Sequence, residues 1–169
     1  MANAHDIFGT GGGGGNFPKI DELEGKLVLL EPSKIEQVPK PKEFGGKPGD
    51  LQDRITADAT VFEADGSAEV FEDMYFSQVG IVNPCKRQLK PGAKGKVLGV
   101  VIKVPSKIGK DQGFDTTEKI LKGLEEHFAS NGKKPKPNFS WGLEPFDEEQ
   151  GNLAMSYIAK RDLGDVSGE

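Results

Sequence analysis

The sequence predicts a mainly β domain with added helices, its strands ordered for a five-stranded Greek-key barrel. Three observations carry this reading: short apolar or alternating runs cut apart by turn residues, a hairpin signal in the first half, and helical periodicity confined to the second half. With 169 residues, 35% of them hydrophobic, the chain is long enough for one core plus tails.

Residues 1–16 close on five consecutive glycines, Gly11 to Gly15, which maximise backbone freedom and bring no side chain to bury. Residues 1–19 therefore read as a flexible glycine-rich arm. A phosphate-cradling loop would need a preceding strand and a Lys-Ser/Thr ending, and Asn16-Phe17-Pro18 follows instead. Residues 26–30 (KLVLL) form the first strand, expected to end at Glu31-Pro32 because proline cannot donate to a central ladder. Residues 39–49, with three prolines and three glycines, are a loop.

Residues 54–63 alternate. Ile55, Ala57, Ala59 and Val61 fall on one face, Thr56, Asp58, Thr60 and Phe62 on the other. After the turn Ala64-Asp65-Gly66-Ser67, residues 68–77 return as the partner strand of a hairpin. Residues 78–89 are a short helical or irregular crossing segment. Residues 96–104 (KVLGVVIKV) are a strand in which Gly99 suits a bulge or a tight barrel bend. Residues 116–131 are helical, with Thr116 or Thr117 as cap, a stripe of Ile120, Leu121, Leu124 and Phe128, and an Asn131-Gly132 stop. A last strand at 138–143 precedes a helix at 148–161, and residues 162–169 form a loose acidic tail. The domain proper is thus residues 20–161.

One cysteine, Cys85, excludes an internal disulfide, and with His5 and His127 as the two imidazoles no clustered zinc site is expected. Neither a metal nor another cofactor is called for. Glu72 and Asp73 point to opposite faces of a strand, and no nucleophile with a neighbouring base is visible, so no catalytic residue is assigned. No apolar run reaches membrane-spanning length and the N-terminus lacks the apolar core of a secretory signal. A soluble cytoplasmic protein without membrane contact is the expectation.

Charge is unevenly divided. Residues 86–136 hold 13 basic and 5 acidic residues, whereas residues 1–85 hold 7 and 15 and residues 137–169 hold 2 and 7. A basic block inside an acidic chain is what a nucleic-acid backbone would need, since each neutralised phosphate releases counterions. A solvated lysine-rich surface is the plain alternative.

The order strand, hairpin, crossing segment, strand, strand is compatible with a five-stranded OB-like Greek-key barrel, an open α+β sheet being the alternative. The segments LEGKLVLLEP at 23–32, ITADATV at 55–61, FEDMYFSQ at 71–78, VLG at 97–99 and WGLEP at 141–145 together resemble the single-stranded DNA-binding proteins encoded by bacteriophages, especially those of actinobacterial hosts. The resemblance implies an OB-fold that coats single strands in the host cytoplasm during phage DNA replication or recombination. It also implies replication-protein partners for an acidic tail, and it leaves room for a homo-oligomer. The chain departs from it in a long insertion with its own helix at 103–136. A phage structural or assembly protein without nucleic-acid affinity is the competing reading.

Sequence-tolerant binding of single strands needs aromatic faces for bases and cations for phosphates. Strand parity puts Phe71, Asp73 and Tyr75 on one face and Glu72, Met74 and Phe76 on the other, with Tyr75 the exposed aromatic because its hydroxyl seeks water or a partner. Phe62, opposite the apolar face of its strand, is a second stacking candidate. Trp141, the one tryptophan, points the same way as Phe139, either as core or as a third platform. The cation candidates are Arg54, Lys86, Arg87, Lys90, Lys103, Lys107, Lys110, Lys133, Lys134 and Lys136, the last three in the stiff basic loop Lys133-Lys134-Pro135-Lys136-Pro137.

Overall fold

The computed structural model describes residues 17–42 and 46–167, with side chains through Leu163. The polyglycine run and the end of the acidic tail lie outside the described residues, and so do the expectations placed on them. After a 3-10 turn at Ile20–Leu23 come β1 (Leu27–Pro39), β2 (Leu51–Phe62), β3 (Ala68–Phe76), α1 (Val79–Gln88), β4 (Val97–Pro105), α2 (Lys107–Asp111), α3 (Thr117–Ala129), β5 (Phe139–Glu144) and α4 (Glu148–Ser167). The strands form one antiparallel sheet in the order β3-β2-β1-β4-β5, curled into a half-barrel.

The expected hairpin is β2–β3, closed by the turn at residues 64–67. The first strand, however, does not stop at Pro32. β1 runs to Pro39 against the start of β2, and the register slips between Pro32 and Lys34. Pairing with β4 covers Leu27 to Leu30 alone, so beyond Leu30 β1 needs a ladder on one side and a proline is tolerated at the bulge. The outer halves of β1 and β2 thus form a two-stranded arm.

A second slip shapes β3. Ala57 pairs with Met74 and Ala59 with Phe71, so Glu72 and Asp73 together oppose Asp58. Asp73 takes a left-handed conformation (φ 55°), and its N–H donates to Asp58 Oδ1 at 3.0 Å. The extra residue overturns the simple parity: Phe71, Met74 and Phe76 all join the inner face. Tyr75 alone of these aromatics faces outward, 44% exposed.

The inner face packs Val28, Leu30, Ile55, Ala57, Ala59, Val61 and Val101 against Ile81, Val82 and Cys85 of α1, which crosses the curl. Pro84 inside α1 cannot bond the Gly80 carbonyl, and that residue lies in a parallel bridge to Gly142 of β5. The other face, expected to carry Phe62 as a stacking ring, is itself covered at one end. Leucines 27 and 29, Phe62 and Val100 pack against Leu153, Ala154, Tyr157 and Ile158 of α4. Phe62 is 4% exposed with its ring edge-to-face on Tyr157 at 5.4 Å, so it offers no face to a base. The continuous apolar run at 27–30 follows from burial on both faces.

Gly99 marks no bulge against β1, where β4 keeps its register from Val97 to Val100. A Cβ there would stand 2.9 Å from Leu143 Cβ and 3.0 Å from Glu144 O, so the glycine admits the close approach of β5. In α3, Thr116 Oγ1 caps by accepting from the Lys119 N–H, and Asn131 and Gly132 end the helix in left-handed conformations. The stripe is narrower than expected: Ile120 is buried and Leu124 half-buried, while Leu121 and Phe128 face outward. Gly123 replaces them inward, where a Cβ would meet Phe114 and Pro137 at 2.6 Å. Helix α4 continues past Arg161 to Ser167, its Arg161 guanidinium ion-paired with Glu31. No helix among the described residues is long and apolar enough to cross a membrane.

Two outcomes test this packing. Phe62→Ala should lower stability by about 3–5 kcal/mol in chemical denaturation, the cost of a core ring and not of a surface one. Burial pushes the Cys85 thiol up to about 12, so it should resist alkylation in the native protein and react only at the rate of unfolding.

Candidate nucleic-acid interface

The part of the outer face that α4 does not pack against is the Arg54–Tyr75 end of β2 and β3, away from Phe62. Register places Arg54 opposite Glu36, and Thr56 between Lys34 and Tyr75, all with the same parity. The Arg54 guanidinium lies over the Tyr75 ring, 4.3 Å from its centroid. Its Nε and Nη2 both donate to Glu36 Oε1, at 3.1 and 2.6 Å. Those hydrogen bonds hold the Glu36 carboxyl below the usual carboxylate range, and the charges of Arg54 and Lys34 act in the same direction. Thr56 is 3% exposed, and its Oγ1 is, among the described residues, the buried side-chain polar atom without a hydrogen-bond partner.

A second aromatic group stands on the inner face, where β4 pairs with β5. Phe139 and Trp141 project together, edge-to-face at 5.5 Å, and both are half-buried. Lys103, opposite Trp141 in the ladder, sets its ammonium 4.9 Å from the tryptophan centroid and 5.4 Å from the phenylalanine one. The same ammonium is ion-paired with Glu24. Trp141 thus packs at the rim of the inner core under a cation that is already held.

The β4–β5 excursion carries the remaining lysines. The Ser106 hydroxyl donates to Asn138 Oδ1 and accepts from the Gly109 N–H, and the Asn138 N–H donates to Gln112 Oε1 at 3.1 Å. These bonds lock α2 to the basic loop. The loop is further fixed by His127, whose Nδ1–H donates to the Lys134 carbonyl at 2.6 Å. Lys107, Lys110, Lys133, Lys134 and Lys136 all extend into solvent around this junction. Lys134 approaches Glu126 at 3.8 Å, and among the described residues the other four have no ion-pair partner. On α1, Lys86 pairs with Asp53 at 3.2 Å, while Arg87 and the following Lys90 are exposed.

The structure therefore brings Arg54 and Tyr75 together, joins Lys103 to Trp141, and gathers the excursion lysines around one rigid loop. It does not bring Tyr75 and Trp141 to one surface, because they lie on opposite faces of the sheet. Sequence reasoning missed the acidic partners Glu36, Glu24 and Asp53, and Thr56 as an unpaired hydroxyl. The arm register would have revealed Glu36 opposite Arg54, had β1 been carried past Pro32. No protein-family profile, curated protein or solved structure matches the chain.

Gly109 tests the rigid loop. A Cβ at this position would lie 2.1 Å from the Asn138 carbonyl oxygen, so Gly109→Ala should unlock α2 from the loop and raise amide hydrogen exchange across residues 106–112 and 133–138, leaving the sheet protected.

Proposed function

We propose that this chain is a non-enzymatic single-stranded DNA-binding protein of the OB type, serving phage DNA replication or recombination. The strand order β3-β2-β1-β4-β5, the helix crossing between β3 and β4, and the parallel contact of the α1 start with β5 are compatible with a partly open five-stranded Greek-key barrel and support this reading. Such barrels bind oligonucleotides across strands 2 and 3, between the β1–β2 and β4–β5 loops. Here that strip holds the exposed Tyr75 with Arg54, and the β4–β5 connection holds the lysine-rich loop. This coincidence of an aromatic–cation strip with a lysine cluster in which, among the described residues, only Lys134 has an ion-pair partner is the observation that carries the proposal.

In this reading a base stacks on the Tyr75 ring while Arg54 and the excursion lysines neutralise successive phosphates. No base-edge reader is needed, so binding tolerates any sequence. Buried Phe62 takes no part, and half-buried Trp141 contributes less than Tyr75. A second reading, assembly with protein partners, draws on the outward Leu121 and Phe128 of α3.

Labelled oligo-dT titrated with the protein at two salt concentrations should give salt-sensitive binding that duplex DNA does not displace. Tyr75→Ala should weaken it about tenfold. Replacing Lys133, Lys134 and Lys136 by alanine should lower the salt slope by roughly 0.7 for each phosphate left without its lysine. Absence of binding at low salt would favour the assembly reading.

A further inference from the structure

We infer that Glu36 is a positioning residue that sets the affinity of the proposed single-strand face by holding Arg54 closed over Tyr75. The inference rests on the single-strand reading above and adds a competition internal to the site. Arg54 has one guanidinium and two uses for it. In the free protein both Nε and Nη2 are spent on Glu36 Oε1, and the plane so fixed covers one face of the Tyr75 ring. A phosphate taken on that same Nε–Nη2 edge, and a base taken on that ring face, each compete with the Glu36 pairing.

Binding therefore exchanges one anion for another on Arg54: the carboxylate leaves, the phosphate takes its place, and the guanidinium moves off the tyrosine. The exchange is cheap because both members of the pair are partly solvent-exposed, at 32% and 36% of their side chains, and exposed pairs are weak. Thr56, paired between Lys34 and Tyr75, is itself covered in the free protein. Its hydroxyl lies directly across from Tyr75 and is buried without a partner, a state that costs free energy and that opening the face to water or to a ligand relieves.

The test is oligo-dT anisotropy across a salt series with Glu36→Gln, in the wild-type background and again with Arg54→Gln. Glu36→Gln should tighten binding three- to tenfold and leave the salt slope unchanged, because Arg54 neutralises the same phosphate in both complexes. In the Arg54→Gln background the same substitution should leave the affinity unchanged, whereas Glu36→Asp in the wild-type background, which restores a carboxylate, should return the affinity toward its starting value. Unchanged or weaker binding by Glu36→Gln overturns the inference. Equal tightening in both backgrounds also overturns it, since that is a general field effect not routed through Arg54. A wild-type protein that binds no oligo-dT at low salt would instead remove the single-strand reading itself, and the two failures are thereby distinguishable.

Discussion

Residues 27–30 are hydrogen-bonded to strands on both sides and buried on both faces, and the remaining elements are arranged by that constraint. Val28 and Leu30 face α1, and Leu27 and Leu29 face α4. Each such side chain contributes roughly 1.5–3 kcal/mol of burial, so four in succession anchor the sheet to both helices. The helices could not exchange roles: α1 fits inside the curl because β2 presents Ala57 and Ala59 there, whereas α4 lies on the outer surface, pinned at its far end by Arg161 to Glu31. Helix α4 covers β1, β4 and the Phe62 end of β2, and the Arg54–Tyr75 end of the β2–β3 strip is left beside that covered face.

Two register slips decide what that end of the strip presents. The slip after Pro32 turns Lys34 and Glu36 onto the outer side, and the slip at Glu72-Asp73 turns Tyr75 onto it while keeping Phe71 with the core. Without the second, Tyr75 and Phe71 would share a face and one of them would be misplaced. The resulting row is densely ion-paired. In it Arg54 is held by Glu36, as Lys86 on α1 is held by Asp53 and Lys103 on the inner face by Glu24, whereas Lys107, Lys110, Lys133 and Lys136 of the β4–β5 excursion have no ion-pair partner among the described residues. In the proposed single-strand reading, long-range attraction and base stacking fall to different parts of the molecule.

Much of the architecture was legible in the sequence because it is written in local periodicity and turn chemistry. The β2–β3 hairpin, the capped α3 and the β4 and β5 strands all fall where alternation, Thr116 and Asn131-Gly132 place them. What escaped was set by tertiary context. Phe62 reads as an outward residue of a half-buried strand, and only the docking of α4, more than eighty residues later, buries it. Pro32 reads as a terminator because its neighbour on one side is invisible from sequence. Leu121 and Phe128 extend the stripe of α3, but the helix packs inward through Gly123 against Phe114 and Pro137. Of the candidate site, the cations and Tyr75 were readable as types, while Glu36 and Thr56 gain meaning only from register.

The central claim is that the β2–β3 strip and the β4–β5 lysine loop form one surface for a single strand. Amide NMR of the labelled protein titrated with oligo-dT tests it most directly, because the non-proline backbone positions of both regions report at once. The account predicts the largest shifts at residues 54–56, 74–76 and 133–138, with residues 153–158 of α4 nearly still. Shifts confined to α3, or none at saturating oligonucleotide, would contradict it.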